Sequence, residues 1–162
     1  MAQIVSFVGR SNVGKTTHLE KVIKEIKSRG YKVAIIKHDV HGFEIDTPGK
    51  DTWRHAQAGA DTVVISSPHK LAIIEKVPAE RTLDEIAKQI QDVDLIITEG
   101  YKRGNKPKVE IVRKERSSEP LCHKEELVAL VTDCEINMEV PKFAFDEVKE
   151  LVDLLEEKFI KK

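Results

Sequence analysis

The sequence has 162 residues, 40% hydrophobic and 34% charged, with 27 Lys and Arg against 28 Asp and Glu for a net charge of −1. That length fits a single domain over residues 1–162 with one core, and the apolar content excludes a disordered chain. A near-neutral chain carries no excess charge for nucleic-acid phosphates, and no apolar run approaches the roughly 20 residues of a bilayer span, so neither nucleic acid nor membrane is expected as a partner.

Met1-Ala2-Gln3 leads directly into an apolar segment without a basic stretch or cleavage site, so no signal peptide is expected. Cys122 and Cys134 are not spaced as metal ligands, and two free thiols suit a reducing compartment; the expected location is cytoplasmic.

The elements follow in chain order. Residues 4–8 are a short apolar run stopped by Gly9, a buried strand. Leu19, Val22, Ile23 and Ile26 recur at helical spacing up to Gly30. Residues 33–36 form a second buried strand, and 37–49 lack periodicity and read as a functional loop. A short helix is expected over 51–58, a third strand over 62–66, and a hairpin partner over 70–75. Thr82 and Glu85 form a capping box ahead of the stripe Leu83, Ile86, Ala87, Ile90. Residues 94–99 are a buried strand closed by Gly100. Residues 108–113 alternate in polarity and read as an edge strand; 127–131 are apolar throughout and read as central. Val148, Leu151, Val152, Leu155 and Phe159 mark a closing amphipathic helix.

Buried strands alternating with helices predict a three-layer α/β fold of the P-loop NTPase class. Its sheet is mostly parallel, helices lie on both faces, and 70–75 and 108–113 are expected as antiparallel additions at or near the edges.

The class follows from Gly9-Arg10-Ser11-Asn12-Val13-Gly14-Lys15-Thr16, which leaves a strand and opens a helix. In Gly-x4-Gly-Lys-Thr the glycines let successive backbone N–H groups converge on phosphate oxygens, and the helix presents its positive end to the same anion. The lysine supplies charge to the β- and γ-phosphates, and the hydroxyl of Thr16 is placed for Mg²⁺. The metal needs a carboxylate from a neighbouring strand tip. Glu99 ends its strand there, and Gly100 permits close approach, whereas Asp94 sits roughly 16 Å away at about 3.3 Å per residue. Lys15 and Glu99 are therefore the expected catalytic pair, and Glu99 is also a metal ligand.

Lys37 to Asp46 leave the second strand at the same sheet edge as a switch-like loop, with Asp39 and Asp46 as its metal-side carboxylates; Asp39 is taken with Thr16 and Glu99 as the metal set. The three-residue spacing of His38 and His41 is weak evidence for a transition metal on a loop. Residues 102–116 hold seven basic and two acidic residues, either a solvated strand edge or a rim for an anionic ligand. Thr132-Asp133 follow a late strand where an Asp can accept from the N1 and N2 hydrogens of guanine, although the full Asn/Thr-Lys-x-Asp signature is incomplete.

Four segments in this order carry a resemblance: residues 9–17, the Lys37–Asp46 loop, Gly49-Lys-Asp-Thr-Trp-Arg-His55 with Ala58-Gly-Ala60, and Asp94-Leu-Ile-Ile-Thr-Glu-Gly-Tyr-Lys102. Together they resemble the molybdopterin-guanine dinucleotide biosynthesis protein B (MobB) family, from the N-terminus to about Asp133. The resemblance implies binding of GTP with Mg²⁺, at most weak Mg²⁺-dependent hydrolysis, a homodimer, and an adaptor role toward the guanylyltransferase that attaches GMP to molybdopterin. Molybdopterin itself is a further candidate ligand. Family roles fall on Gly14, Lys15, Thr16 and Thr17 for phosphate and Mg²⁺, and on Glu99 for the metal. The alternatives are a P-loop small-molecule kinase, which needs an arginine-bearing lid, and a metallochaperone GTPase, which needs a clearer set of Cys or His ligands.

Overall fold

Seven residues, Gln3–Gly9, form β1, whose six residues from Ile4 onward are all buried. The computed structural model describes residues 2–161 of the chain. It divides into two units, one made of the chain up to Asp39 and from Ala87 onward, the other of Val40–Ile86.

In the first unit, β1 is followed by helix α1 (Lys15–Ser28), β2 (Val33–Lys37), β5 (Leu95–Glu99), β6 (Lys108–Val112), β7 (Leu127–Thr132), the two-residue β8 (Lys142–Phe143) and helix α4 (Val148–Leu155). The six strands form one sheet in the order β2-β5-β1-β6-β7-β8. Every pairing in it is parallel. Residues at β1, β5, β6 and β7 are buried on both faces, which is why β1, β5 and β7 read as continuous apolar runs rather than as alternation. On one face Val5, Phe7, Ile97, Ile111 and Val131 pack with Leu19, Val22 and Ile26 of α1 and Leu151, Val152 and Leu155 of α4. On the other, Val8, Val112 and Leu130 pack with Cys122 and with the partly buried Ile136, Met138 and Val140.

One expectation needs correcting. Residues 108–112 are not an antiparallel edge; β6 runs parallel between β1 and β7 and is buried throughout. Its alternation comes from Lys108 and Glu110, and both are satisfied internally. The Lys108 ammonium donates to the Gly104 carbonyl at 2.7 Å and pairs with Glu126. The Glu110 carboxylate accepts from the backbone N–H groups of Leu121 (2.6 Å) and Cys122 (3.0 Å). Buried charges are tolerated when so paired, and pattern alone does not distinguish them from solvated ones. The actual edge beyond β7 is β8, too short to leave a periodic signal.

The second unit holds helix α2 (Asp51–Gln57) and the antiparallel pair β3 (Thr62–Ser67) and β4 (Lys70–Glu75). The hairpin is antiparallel as expected, but it forms its own two-stranded sheet instead of extending the main one. Helix α3 (Leu83–Ala87) starts at the expected capping box: Glu85 accepts from both the N–H (2.8 Å) and the hydroxyl (2.7 Å) of Thr82. Between β2 and α2 there is no regular element, as the sequence of 37–49 implies. No described helix is long and apolar enough to cross a membrane.

Candidate phosphate-binding site

The turn from β1 into α1 is built around backbone conformations that few residues adopt. Gly9 has φ 152°, and a Cβ there would stand 2.6 Å from the Ile111 carbonyl oxygen of the neighbouring strand. Asn12 has φ 60° and Gly14 φ 86°. Val13, at 1% exposure, is the apolar peg that fastens the loop to the core. Gly14 is the N-cap of α1 in a left-handed conformation, and no side chain caps the helix, so its first N–H groups remain directed at the loop.

Lys15 folds back along the loop, its ammonium donating to the carbonyls of Arg10 (2.8 Å) and Gly9 (3.3 Å). Its pKa is held below the ordinary lysine value, chiefly by burial and then by the positive charges of Lys102 and Lys37, with Glu99 acting in the opposite sense. A lysine among other cations and beside uncapped helix N–H groups is a site short of negative charge.

The Thr16 hydroxyl donates to Glu99 Oε1 at 2.7 Å. Strand β5 delivers Glu99 to this point because it lies beside β1 in register, with Phe7 opposite Glu99. Beyond it the chain turns through two residues of positive φ, Gly100 (106°) and Tyr101 (55°). A Cβ on Gly100 would meet that of His38 at 3.3 Å. His38 donates its backbone N–H to the Glu99 carbonyl at 3.0 Å and stacks on Tyr101 with ring centroids 4.6 Å apart. The strand end that carries the carboxylate is thus clasped by the chain leaving β2.

Ser11, Asn12, Gly14, Lys15, Thr16, Thr17 and Glu99 line one open concavity of about 380 Å³. Gly9, Arg10 and Val13 belong to the same loop but do not line it; Gly9 and Val13 are buried and Arg10 is exposed. Asp39 is exposed two residues beyond β2 and does not line this concavity. Thr132 ends β7, Asp133 follows it, and both lie outside the concavity; Asp133 accepts the Lys114 N–H at 2.7 Å, and the Thr132 hydroxyl takes the Cys134 N–H at 3.1 Å. Among the described residues there is no group of three or more His, Cys, Asp or Glu arranged to hold a metal.

The donor set nonetheless fits a polyphosphate and a hard cation. Converging N–H groups and Lys15 suit phosphate oxygens, and a hydroxyl paired with a carboxylate oxygen suits Mg²⁺, which keeps most of its ligands as water and phosphate.

A residue the motifs did not single out is Arg113, just past β6. Its Nε donates to the Val13 carbonyl at 3.1 Å, and its guanidinium lies 4.1 Å from the centroid of the Phe145 ring. No local pattern announces it, because its partners are far away in the chain.

A parallel sheet with a glycine-bounded loop between its central strand and the following helix, plus a lysine and a threonine at the helix start, defines a P-loop-type α/β protein. A family model described as MobB, molybdopterin guanine dinucleotide synthesis protein B, matches residues 4–133, and the chain belongs to this family. The molybdopterin-guanine dinucleotide biosynthesis adapter protein of Haemophilus influenzae is 32% identical over 156 residues, covering 94% of this chain and 87% of the relative. That of Escherichia coli is 30% identical over 163 residues, covering 97% and 93%. Among solved structures, a crystal structure of Bacillus subtilis MobB aligns with a TM-score of 0.78 at 27% identity over 99% of both chains. A crystal structure of molybdopterin-guanine biosynthesis protein B aligns with a TM-score of 0.74 at 30% identity, over 95% of this chain and 98% of the other.

Proposed function

We propose that this protein is a GTP-binding adaptor of molybdenum cofactor biosynthesis, at most a slow Mg²⁺-dependent GTPase, which assists the guanylyltransferase that joins GMP to molybdopterin. The observation that carries the reading is the 2.7 Å contact between Thr16 and Glu99 beside Lys15, in a chain whose relatives bear the name adapter protein.

In this reading the N–H groups of residues 10–16 and the Lys15 ammonium hold the β- and γ-phosphates. Thr16 and Glu99 hold Mg²⁺ between them, with Asp39 as a further carboxylate at the same sheet edge. Bound Mg²⁺ neutralises charge on the phosphates. Glu99 has a second use, orienting water toward the terminal phosphate. The Asp133 carboxylate, oriented by the Lys114 N–H, accepts from the guanine edge. A cytoplasmic homodimer belongs to the same proposal. One face of the hairpin β3–β4 leaves Val64, Leu71 and Ile73 between 54% and 62% exposed, an apolar strip of the kind subunit contacts cover.

The test is reconstitution. The purified chain is mixed with the guanylyltransferase, molybdopterin, GTP and Mg²⁺. Co-purification with the transferase and faster GMP transfer are expected, and the acceleration is lost in Lys15→Ala. A chain that neither binds the transferase nor alters transfer is not an adaptor for it.

A further inference from the structure

A phosphate cradle works only if its N–H groups face the ligand, and that forces the carbonyls of the same peptides outward, where each needs a donor. Two of these carbonyls, Gly9 and Arg10, are held by Lys15. Lys15 is also the group expected to turn to phosphate, so this support is shared with the ligand. The Val13 carbonyl is held differently, by Arg113 Nε from outside the loop. Arg113 also backs the next residue: a Cβ on Gly14 would meet its Nη2 at 3.4 Å.

Arg113 is itself held on two sides. Its carbonyl accepts the N–H groups of Arg116 (2.8 Å) and Ser117 (3.0 Å), which fixes the backbone immediately after β6. Its guanidinium lies over the face of Phe145, and the same ring makes a T-shaped contact with His18, centroids 5.9 Å apart and planes at 85°. His18 belongs to the first turn of α1 and donates its N–H to the Gly14 carbonyl at 2.9 Å. Phe145 therefore touches the residues that brace the last two peptides of the cradle. It also lies beyond the family match, which ends at residue 133.

We propose that Arg113 is a positioning residue of the phosphate cradle, and that Phe145, from the C-terminal segment, sets it in place. A flat cation stacked on an aromatic face keeps one orientation, and that orientation aims Nε at Val13. A lysine keeps the charge but lacks the planar fork, so charge alone does not replace the contact. The C-terminal segment thereby completes the P-loop, and anything that lifts Phe145 from Arg113 loosens phosphate binding without touching a phosphate ligand. This rests on the cradle binding a nucleoside triphosphate.

The test uses the full chain with GTP and Mg²⁺ as probe. Affinity is read by calorimetry, and amide hydrogen exchange is read by segment, in Arg113→Ala, Arg113→Lys and Phe145→Leu. Arg113→Ala should weaken binding about tenfold, the scale of one charged hydrogen bond. Exchange should quicken in residues 10–16 while β6 and β7 stay protected. Arg113→Lys should recover less than half of the loss on a logarithmic scale, and Phe145→Leu should weaken binding by about threefold with Arg113 still present. If Arg113→Ala fails to fold, the other two variants decide. Wild-type affinity in Arg113→Lys and Phe145→Leu, or weakening accompanied by rapid exchange throughout β6 and β7, overturns the proposal. Failure of the wild-type protein to bind GTP or ATP would instead overturn the nucleotide reading on which it rests.

Discussion

Thr16 and Glu99 stand 83 residues apart in the chain, and the hydroxyl of one donates to the carboxylate of the other across 2.7 Å. One lies in the first turn of α1 and the other at the tip of β5. Parallel pairing of β1 with β5 is what brings the two ends together. If this pair holds Mg²⁺, Glu99→Gln should keep the fold and lose the metal's help. Nucleotide affinity in the wild type should fall by about tenfold or more when Mg²⁺ is chelated, and in Glu99→Gln it should hardly change. Calorimetry with and without chelator compares the two.

Gly9→Ala tests the geometry of the cradle itself. The added methyl would sit 2.6 Å from the Ile111 carbonyl at a φ of 152°, and both the loop and β6 are too well packed to yield freely. A loss of about 1–3 kcal/mol in denaturant unfolding is expected, together with weakened nucleotide binding.

His18 gives the fold an acid-sensitive point. It is buried at 3% exposure, and its Nε2 has no hydrogen-bond partner. Burial, followed by the charges of Lys21 and Arg113, lowers its pKa to about 4. In the unfolded chain the value is near 6.5, so as the pH falls the unfolded state takes the proton first. The contribution to stability is complete above pH 6.5 and is lost progressively toward pH 4, in total on the order of 3 kcal/mol. Denaturant melts across this window should show the slope in the wild type and a flatter profile in His18→Met.

Glu110→Ala should be among the more damaging single substitutions outside the cradle. It leaves the part-buried N–H of Leu121 and the buried N–H of Cys122 without their acceptor and opens space beneath the chain that follows β6. A cost of about 2–4 kcal/mol is expected in equilibrium unfolding.

The cradle and its carboxylate were legible because their signals are local. Glycine spacing, the strand before it and the helix after it all lie within residues 4–28, and Glu99 is marked by its place at a strand tip before Gly100. The position of β6 was hidden because Lys108 and Glu110 carry charges into the interior, and their partners at Gly104, Leu121, Cys122 and Glu126 are not visible as a pattern. Arg113 escaped for a related reason: it counts as one of seven basic residues in 102–116 until Phe145 and Val13 are seen beside it. The hairpin was recognised by its turn, but a strand's periodicity does not say which sheet it joins.

The most direct test of the central claim is calorimetric titration of the purified protein with GTP and with ATP, each with Mg²⁺, repeated in Lys15→Ala. Measurable GTP binding is expected, at least about tenfold tighter than ATP, and it should disappear with Lys15. Equal affinity for the two nucleotides would contradict the guanine assignment to Thr132-Asp133, and unchanged binding in Lys15→Ala would contradict the phosphate cradle itself.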